Sequence, residues 1–444
     1  MSAASSALTP GSASGSVTVR LAQRGLIVLT LINLLNYLDR YIVTALFEDL
    51  KRARMVESDL GLGALVTGFL IVYMLSAPAF GAFGDRRSRT RLIAAGVFAW
   101  SLATFLSGLA RNYLQLLAAR ALVGIGEAAY GTIAPSLLAD YFPVRSRGRA
   151  FAIFGMAIPV GAALGYIVGG LIAPRLGWRY AFYVGGVPGL LLAAWVLRLP
   201  DPPRGSQEAA PSAPAPTAVS WRATLATYGH LLGQRPYRLS VLGYAAYSFA
   251  VGGLAAWMPA FLERVRAVPA GEARIGFGEI VVVTGFVGTL VGGWLGDYWL
   301  RHSRQAYLWM SGLVTLCAAP FAAVALSAHS PAVYYGATVV AELLLFMSTG
   351  PINAAIVNLV SAGERAAAVA LSILTIHLLG DVISPSLIGA ISDAVRHFTP
   401  VSDAESLGQA VLIVPVAMAV CGLVWLLAAR ASRLAEDAAR VAAH

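Results

Sequence analysis

The sequence predicts an all-α membrane protein of twelve transmembrane helices arranged as two pseudo-symmetric six-helix halves. Three observations predict it. Of 444 residues, 58% are hydrophobic and only 12% charged, whereas soluble domains carry about 25% charged residues. Apolar stretches near the roughly 20 residues that cross a hydrocarbon core of about 30 Å recur along the chain. A Gly-x-x-Gly-Asp motif stands at the end of the second stretch (Gly81 to Asp85) and again at the end of the eighth (Gly293 to Asp297).

Residues 1–20 are rich in Ser, Ala and Gly with no apolar run, and read as a disordered N-terminal tail without a cleaved signal peptide. Spans are expected near 25–48, 62–83, 91–110, 112–140, 149–173 and 180–199, making an N-terminal half of 21–199. A cytoplasmic linker, 200–236, follows. Its first part is rich in Pro, Ala and Ser. In its second part Trp221, Leu225, Tyr228 and Leu232 recur at helical spacing behind Ser220, which predicts a short amphipathic helix on the membrane surface with Ser220 as its cap. The second six spans are expected near 238–262, 277–300, 306–327, 331–360, 366–392 and 407–430, in a C-terminal half of 237–431 with a tail of 432–444. A weaker echo of the repeat pairs Gly148-Arg149-Ala150 before the fifth span with Glu364-Arg365-Ala366 before the eleventh. Parallel halves of this kind bind substrate near the membrane midplane between them.

The net charge of +10 does not imply nucleic acid, because the arginines cluster in short loops between apolar spans. Arg86, Arg87, Arg89, Arg91, Arg145, Arg147 and Arg149 fall on one side with both termini, and the positive-inside rule makes that side cytoplasmic. Cys317 and Cys421 lie in apolar spans without metal or disulfide spacing and are expected as packed thiols. There is no H-E-x-x-H, G-x-S-x-G or Walker loop, and Gly124-Ile125-Gly126 has no preceding strand. No enzyme activity, cofactor or metal is expected.

The polar hexapeptide Asn36-Tyr37-Leu38-Asp39-Arg40-Tyr41 interrupts the first span. Intramembrane ionisable residues are costly and mark functional sites by default. Asp39 and Arg40 project about 100° apart on a helix and need separate partners. Arg120 and Glu127, seven apart in the fourth span, share a face at a separation of roughly 10 Å and cannot pair directly. Asp39 and Arg40 supply both signs for them, and the partners are expected across a cavity where rocking halves remake the pairs. His377 and Asp381 in the eleventh span sit at i and i+4 on one face, a polar cavity patch or relay. Glu342, Asn353 and Asn358 are weaker candidates, divided between cavity and helix packing. Tyr37, Tyr41, Tyr130, Tyr244, Tyr247 and Trp257 can line an amphipathic cavity, though most aromatics in so apolar a chain are core or lipid-facing.

The turn from Gly81 to Arg91 resembles the signature loop of the major facilitator superfamily, with Ser88 in place of a glycine. That resemblance implies the major facilitator fold, and gating by Gly81, Asp85, Arg86 and Arg89, with Asp297 as the counterpart in the other half. Within the superfamily the chain is similar to the Spinster family, on Asn36 to Tyr41, on Arg120 to Tyr130 with Ile133-Ala134-Pro135, and on Ile376 to Pro385. Relatives in animals export lysophospholipids or sphingoid phosphates, and the group is thought to be ion-coupled. The resemblance therefore implies a proton-coupled secondary transporter of a lipid-like anion in a bacterial inner (plasma) membrane, able to work as a monomer among membrane lipids. Asp39, Glu127, His377 and Asp381 are the candidates for carrying the proton. Arg40, Arg120, Tyr37, Tyr41, Asn36 and Tyr130 are those for binding substrate, since an arginine fork matches phosphate. A carrier of small organic anions or drugs is the alternative. A non-transporting receptor is disfavoured by the short loops and termini.

Overall fold

The structure is a computed structural model that describes residues 19–207, 221–361 and 364–442. The N-terminal half comprises α1 (Val19–Ala45), the short α2 (Phe47–Arg52), α3 (Asp59–Arg86), α4 (Arg89–Leu109), α5 (Tyr113–Tyr141), α6 (Val144–Leu176) and α7 (Trp178–Val196). After the linker come α8 (Trp221–Gly233), α9 (Arg235–Arg264), α10 (Ala270–Leu300), α11 (Ala306–Ser327) and α12 (Pro331–Asn358). The next crossing is broken into α13 (Arg365–Ile376), a π-helical turn at His377–Asp381 and α14 (Ser384–Phe398). The short α15 (Asp403–Ala410) and the long α16 (Ile413–Ala442) complete the chain. Eleven crossings are long and apolar enough by themselves to span a bilayer, and α7, with 19 residues, is the twelfth. The start of α1 and the end of α16 lie on one face, the terminal face, and the other is the opposite face.

Polar residues at the helix starts set the boundaries. The side chains of Ser58, Ser88 and Asn112 accept from Gly61, Arg91 and Gln115 N–H groups at the starts of α3, α4 and α5, satisfying donors that the first helical turn leaves open. Ser88, the departure from the signature loop, is thus a cap. Gly177 links α6 to α7 at φ 94°, a conformation that side chains rarely adopt. Within each half, glycines let backbones touch. A Cβ on Gly161 or Gly165 of α6 would lie 2.5 or 2.6 Å from the Leu34 or Leu38 carbonyl oxygen of α1, so small residues here set the helix spacing.

The halves meet along α3 with α14, α6 with α10 and α1 with α9. One buried apolar core runs through both halves, including Phe47 and Tyr166 with Trp257 and Phe277, and a second lies almost wholly in the N-terminal half around Leu29, Trp100 and Tyr130. The hydrogen bonds between the halves among the described residues reach inward from the opposite face only as far as Thr67 to Val382 (2.6 Å) and Tyr166 to Ala255 (2.6 Å). Tyr166 stands ten residues, roughly 15 Å, from the outer end of α6. No such bond joins the halves nearer the terminal face among the described residues.

Some expectations need adjustment. Cys421 is buried, but Cys317 lies exposed on α11 and is not a packed thiol. The expected amphipathic helix is α8, yet Leu231 is its fully buried leucine, while Leu225 and Leu232 are 55% and 40% exposed. The expected tail of residues 1–20 and the Ser220 cap fall, apart from Val19 and Arg20, outside the described residues.

Candidate functional site

Two ion pairs cross between α1 and α5. Arg120 Nη1 donates to Asp39 at 3.1 and 3.2 Å, and Arg40 Nε donates to Glu127 Oε2 at 2.7 Å. Arg120 and Glu127 therefore pair with adjacent residues of α1, not with each other. Both pairs lie inside the N-terminal half, which corrects the expectation of partners across the cavity. Rigid rocking of the halves leaves α1 and α5 together and does not separate these partners.

The pairs differ in what they leave open. Asp39 also accepts from Thr104 (2.8 Å), and its side chain and that of Arg120 are 2% and 1% exposed. Arg40 is 19% exposed, and among the described residues its terminal nitrogens make no protein hydrogen bond. Its guanidinium stands 4.9 to 5.2 Å from the ring centres of Tyr37, Phe69 and Tyr73, an aromatic box that holds a cation by its quadrupoles. Glu127 is fully buried, with Oε1 unpartnered. The glycines around Glu127 make this possible: a Cβ on Gly124 would lie 2.5 Å from the Phe69 carbonyl of α3, and one on Gly126 2.5 Å from the Gly96 carbonyl of α4. These close approaches bring Phe69 and Tyr73 to Arg40. Both aromatics escaped the sequence reading because nothing along α3 marks them; only the Gly-x-Gly spacing of α5 hints at the approach.

The other predicted substrate residues divide. Tyr37 and Tyr41 are half-buried and lie within electrostatic reach of both Arg40 and Asp381 of the C-terminal half. Asn36 is buried with Nδ2 unpartnered. Tyr130 is 1% exposed, and its hydroxyl donates to the Leu29 carbonyl at 2.6 Å, so it ties α5 to α1 and does not face the cavity. Across the space, His377 Nδ1 lies 2.9 Å from Asp381 in the π turn, both about one quarter exposed. Gly380 presses that turn onto α9, where a Cβ would lie 2.8 Å from the Ala245 carbonyl. Such single π turns often accompany functional sites. Glu342 is buried beside Leu254, Met258 and Leu326 with no hydrogen bond among the described residues. Asn353 donates to the Tyr244 hydroxyl (3.1 Å), Tyr247 to the Leu345 carbonyl (2.9 Å), and the fully buried Trp257 to the Pro385 carbonyl (2.9 Å).

Of the predicted gating residues, Gly81 has open space beside it, Arg86 is exposed, and Asp297 accepts from Tyr307 of its own half at 2.7 Å. The Asp85 side chain lies outside the described residues. Arg89 is buried and bonded to Asp140 of its own half and to Asp201 at the start of the linker. At the opposite face the reverse holds. Asp59, fully buried, accepts from Lys51 (2.9 Å), from Arg264 (2.8 Å) and from Ser392 (2.7 Å). Arg264 also binds Glu48, Lys51 binds Asp403, Arg274 binds Asp49, and Arg52 binds Glu263. Asp393 of α14 accepts from the Asp59 and Leu60 N–H groups (3.1 and 2.9 Å), capping α3 from the other half. This network joins the halves. The sequence showed only that charges of both signs mix in these loops.

The family model of the Major Facilitator Superfamily matches residues 29–385. Protein spinster homolog 1 of Homo sapiens is 37% identical over 400 residues, covering 84% of this chain and 74% of the relative. The sphingosine-1-phosphate transporter SPNS2 of Mus musculus is 35% identical over 419 residues, covering 90% and 75%. A crystal structure of a bacterial homolog of the human lysosomal transporter Spinster, inward-facing and unoccupied, superposes with a TM-score of 0.81 at 25% identity, over 93% of this chain and 98% of that one.

Proposed function

The chain belongs to the major facilitator superfamily and, within it, to the Spinster family, and from that premise we propose that this transporter moves a lipid-like anion by alternating access, coupled to protons. Its spinster and sphingosine-1-phosphate transporting relatives support the substrate class. The observation that carries the reading is the asymmetry of the two buried pairs: Arg40 is bound through Nε alone, while its partner Glu127 keeps one buried oxygen without a donor. Protonating Glu127 neutralises it and leaves Arg40 a cation in need of a counter-ion. An anionic head meeting the Arg40 terminal nitrogens supplies one, with two parallel bonds to a phosphate. Proton and anion then favour each other's binding by linkage. Tyr37, Tyr41, His377 and Asp381 line the approach from both halves, and Asp39 with Arg120 holds α1 in register beside it.

The terminal face is cytoplasmic in this reading, supported by its arginine clusters, and the chain stands open to that side. The want of hydrogen bonds between the halves there, among the described residues, and the resemblance to an inward-facing neighbour support this. Uptake or efflux in proteoliposomes under an imposed pH gradient tests the coupling. Glu127→Gln is expected to abolish the pH-driven component, and the proposal fails if it leaves that component intact. A thermal-shift screen of lysolipids, sphingoid phosphates and small organic anions tests the substrate class, because a ligand of the folded state raises its apparent stability. Stabilisation by small anions alone would favour the alternative carrier.

A further inference from the structure

The start of α4 in the N-terminal half is closed by its own carboxylates. Asp201 accepts from the Arg89 N–H (2.8 Å) and Nε (2.9 Å), and Asp140, near the end of α5, accepts from Arg89 Nη1. The anions thus satisfy both a helix N-terminus and a guanidinium. In the C-terminal half the corresponding helices are α11, α12 and α16; α16 carries Glu436 at the position that matches Asp201, while the end of α12 lacks a carboxylate. Asn358 ends α12, and Gln305 precedes α11 without capping it by its side chain.

The outcome is a cleft of about 330 Å³ at the terminal face, lined by Arg304, Gln305, Asn358, Arg365, Ser432 and Glu436. Arg304, just before α11, and Arg365, the first residue of α13, make no hydrogen bond or ion pair with protein among the described residues, and both are exposed. Gln305 is only 8% exposed; its Oε1 accepts from Ser303 at 3.4 Å, and its Nε2 is buried without a partner. A buried amide donor left unpaired costs free energy. Two unpaired guanidinium groups line one space beside the N-termini of α11 and α13, whose dipoles favour negative charge, and Gln305 with its orphan donor stands in the same wall. Glu436, the carboxylate in the lining, forms an ion pair with neither arginine among the described residues.

We propose that this cleft binds a phosphate oxyanion, and that it is separate from the transport site between the halves. The planar forks of Arg304 and Arg365 match phosphate geometry. Its source is either a phospholipid head group, reached at the membrane surface, or a free phosphate compound.

The test is thermal stability of the purified full chain in detergent, titrated with phosphatidylglycerol in mixed micelles and, in parallel, with inorganic phosphate against matched chloride. Phosphatidylglycerol is expected to raise the unfolding temperature. The Arg304→Ala, Arg365→Ala double variant is expected to need at least roughly tenfold more lipid, the scale of losing a charge-assisted contact. Glu436→Gln should need less lipid than wild type, a gain that misfolding does not imitate. Arg145→Ala, at an exposed arginine on the same face of the other half, should match wild type. A response to lipid alone identifies a head-group site, and a response to both identifies a general phosphate site. The proposal is overturned if neither probe stabilises wild type, or if the double variant responds as wild type does.

Discussion

Arg40 and Arg120 look alike in the sequence, as two intramembrane arginines on apolar helices, but their surroundings give them different work. Arg120 is enclosed and spends both terminal nitrogens on Asp39. Arg120→Ala would strand a buried carboxylate, and breaking a buried pair costs about 3–5 kcal/mol. We therefore expect a clear fall in unfolding temperature for Arg120→Ala, largely relieved by adding Asp39→Asn; full stability of the single variant would contradict the assignment. Arg40→Ala removes the group open to the cavity, so its main effect should be loss of anion-induced stabilisation. The Glu127–Arg40 linkage also fixes a sign for pH. Anion affinity should rise as pH falls, because protonated Glu127 no longer competes for Arg40. Glu127→Gln, fixed in the neutral form, should bind the anion at least as tightly as wild type at low pH and show little pH dependence. A titration in which the two proteins respond to pH alike would sink the idea. The four charged residues were legible because charge inside an apolar span is conspicuous. Tyr130 misled for the opposite reason, since an aromatic on a helix has no mark that separates a packed ring from one lining a cavity.

At the scale of elements, the contact between α3 and α14 decides which face is closed. A Cβ on Gly63 would lie 2.3 Å from the Pro385 carbonyl, and one on Gly389 2.3 Å from the Asp59 carbonyl. Backbone cannot yield as a flexible side chain does, so Gly389→Leu should wedge the opposite face apart. We expect spin-label distances across that face to lengthen and those across the terminal face to shorten in this variant; unchanged distances would show that the contact is not what holds the closed face. The glycines were visible in the sequence, but their partners lie more than 300 residues away, and no local pattern reports such an approach. The π turn at His377–Asp381 was similarly hidden. The i, i+4 spacing did show that these two side chains face the same way, and the structure pairs them.

At the scale of the whole molecule, transport by alternating access requires the ion network of Asp59, Arg264, Lys51 and Asp403 to open in each cycle. Thr67 and Ser386, whose hydroxyls are 2.8 Å apart across the halves, offer a direct check. A Thr67→Cys, Ser386→Cys pair should cross-link on oxidation and stop transport, with activity returning on reduction. Transport that persists in the fully cross-linked protein would exclude rocking of the two halves as the mechanism. The network is spread over loops and helix ends far apart in the chain that the sequence presents only as mixed charge. Coulomb pairing acts through space between segments far apart in the chain, so its partners cannot be read in order.

The sequence by itself determined the membrane class, the repeated halves, the family and the charged residues of the first and fourth spans, because hydrophobic length, local motifs and charge in an apolar setting are properties of short segments. Tertiary structure alone decided that Asp39 and Arg40 pair within one half, that Arg40 sits among rings of α3, and which face the ion network seals. Those outcomes depend on how close helix backbones approach, which is set jointly by glycines on one helix and side chains on another.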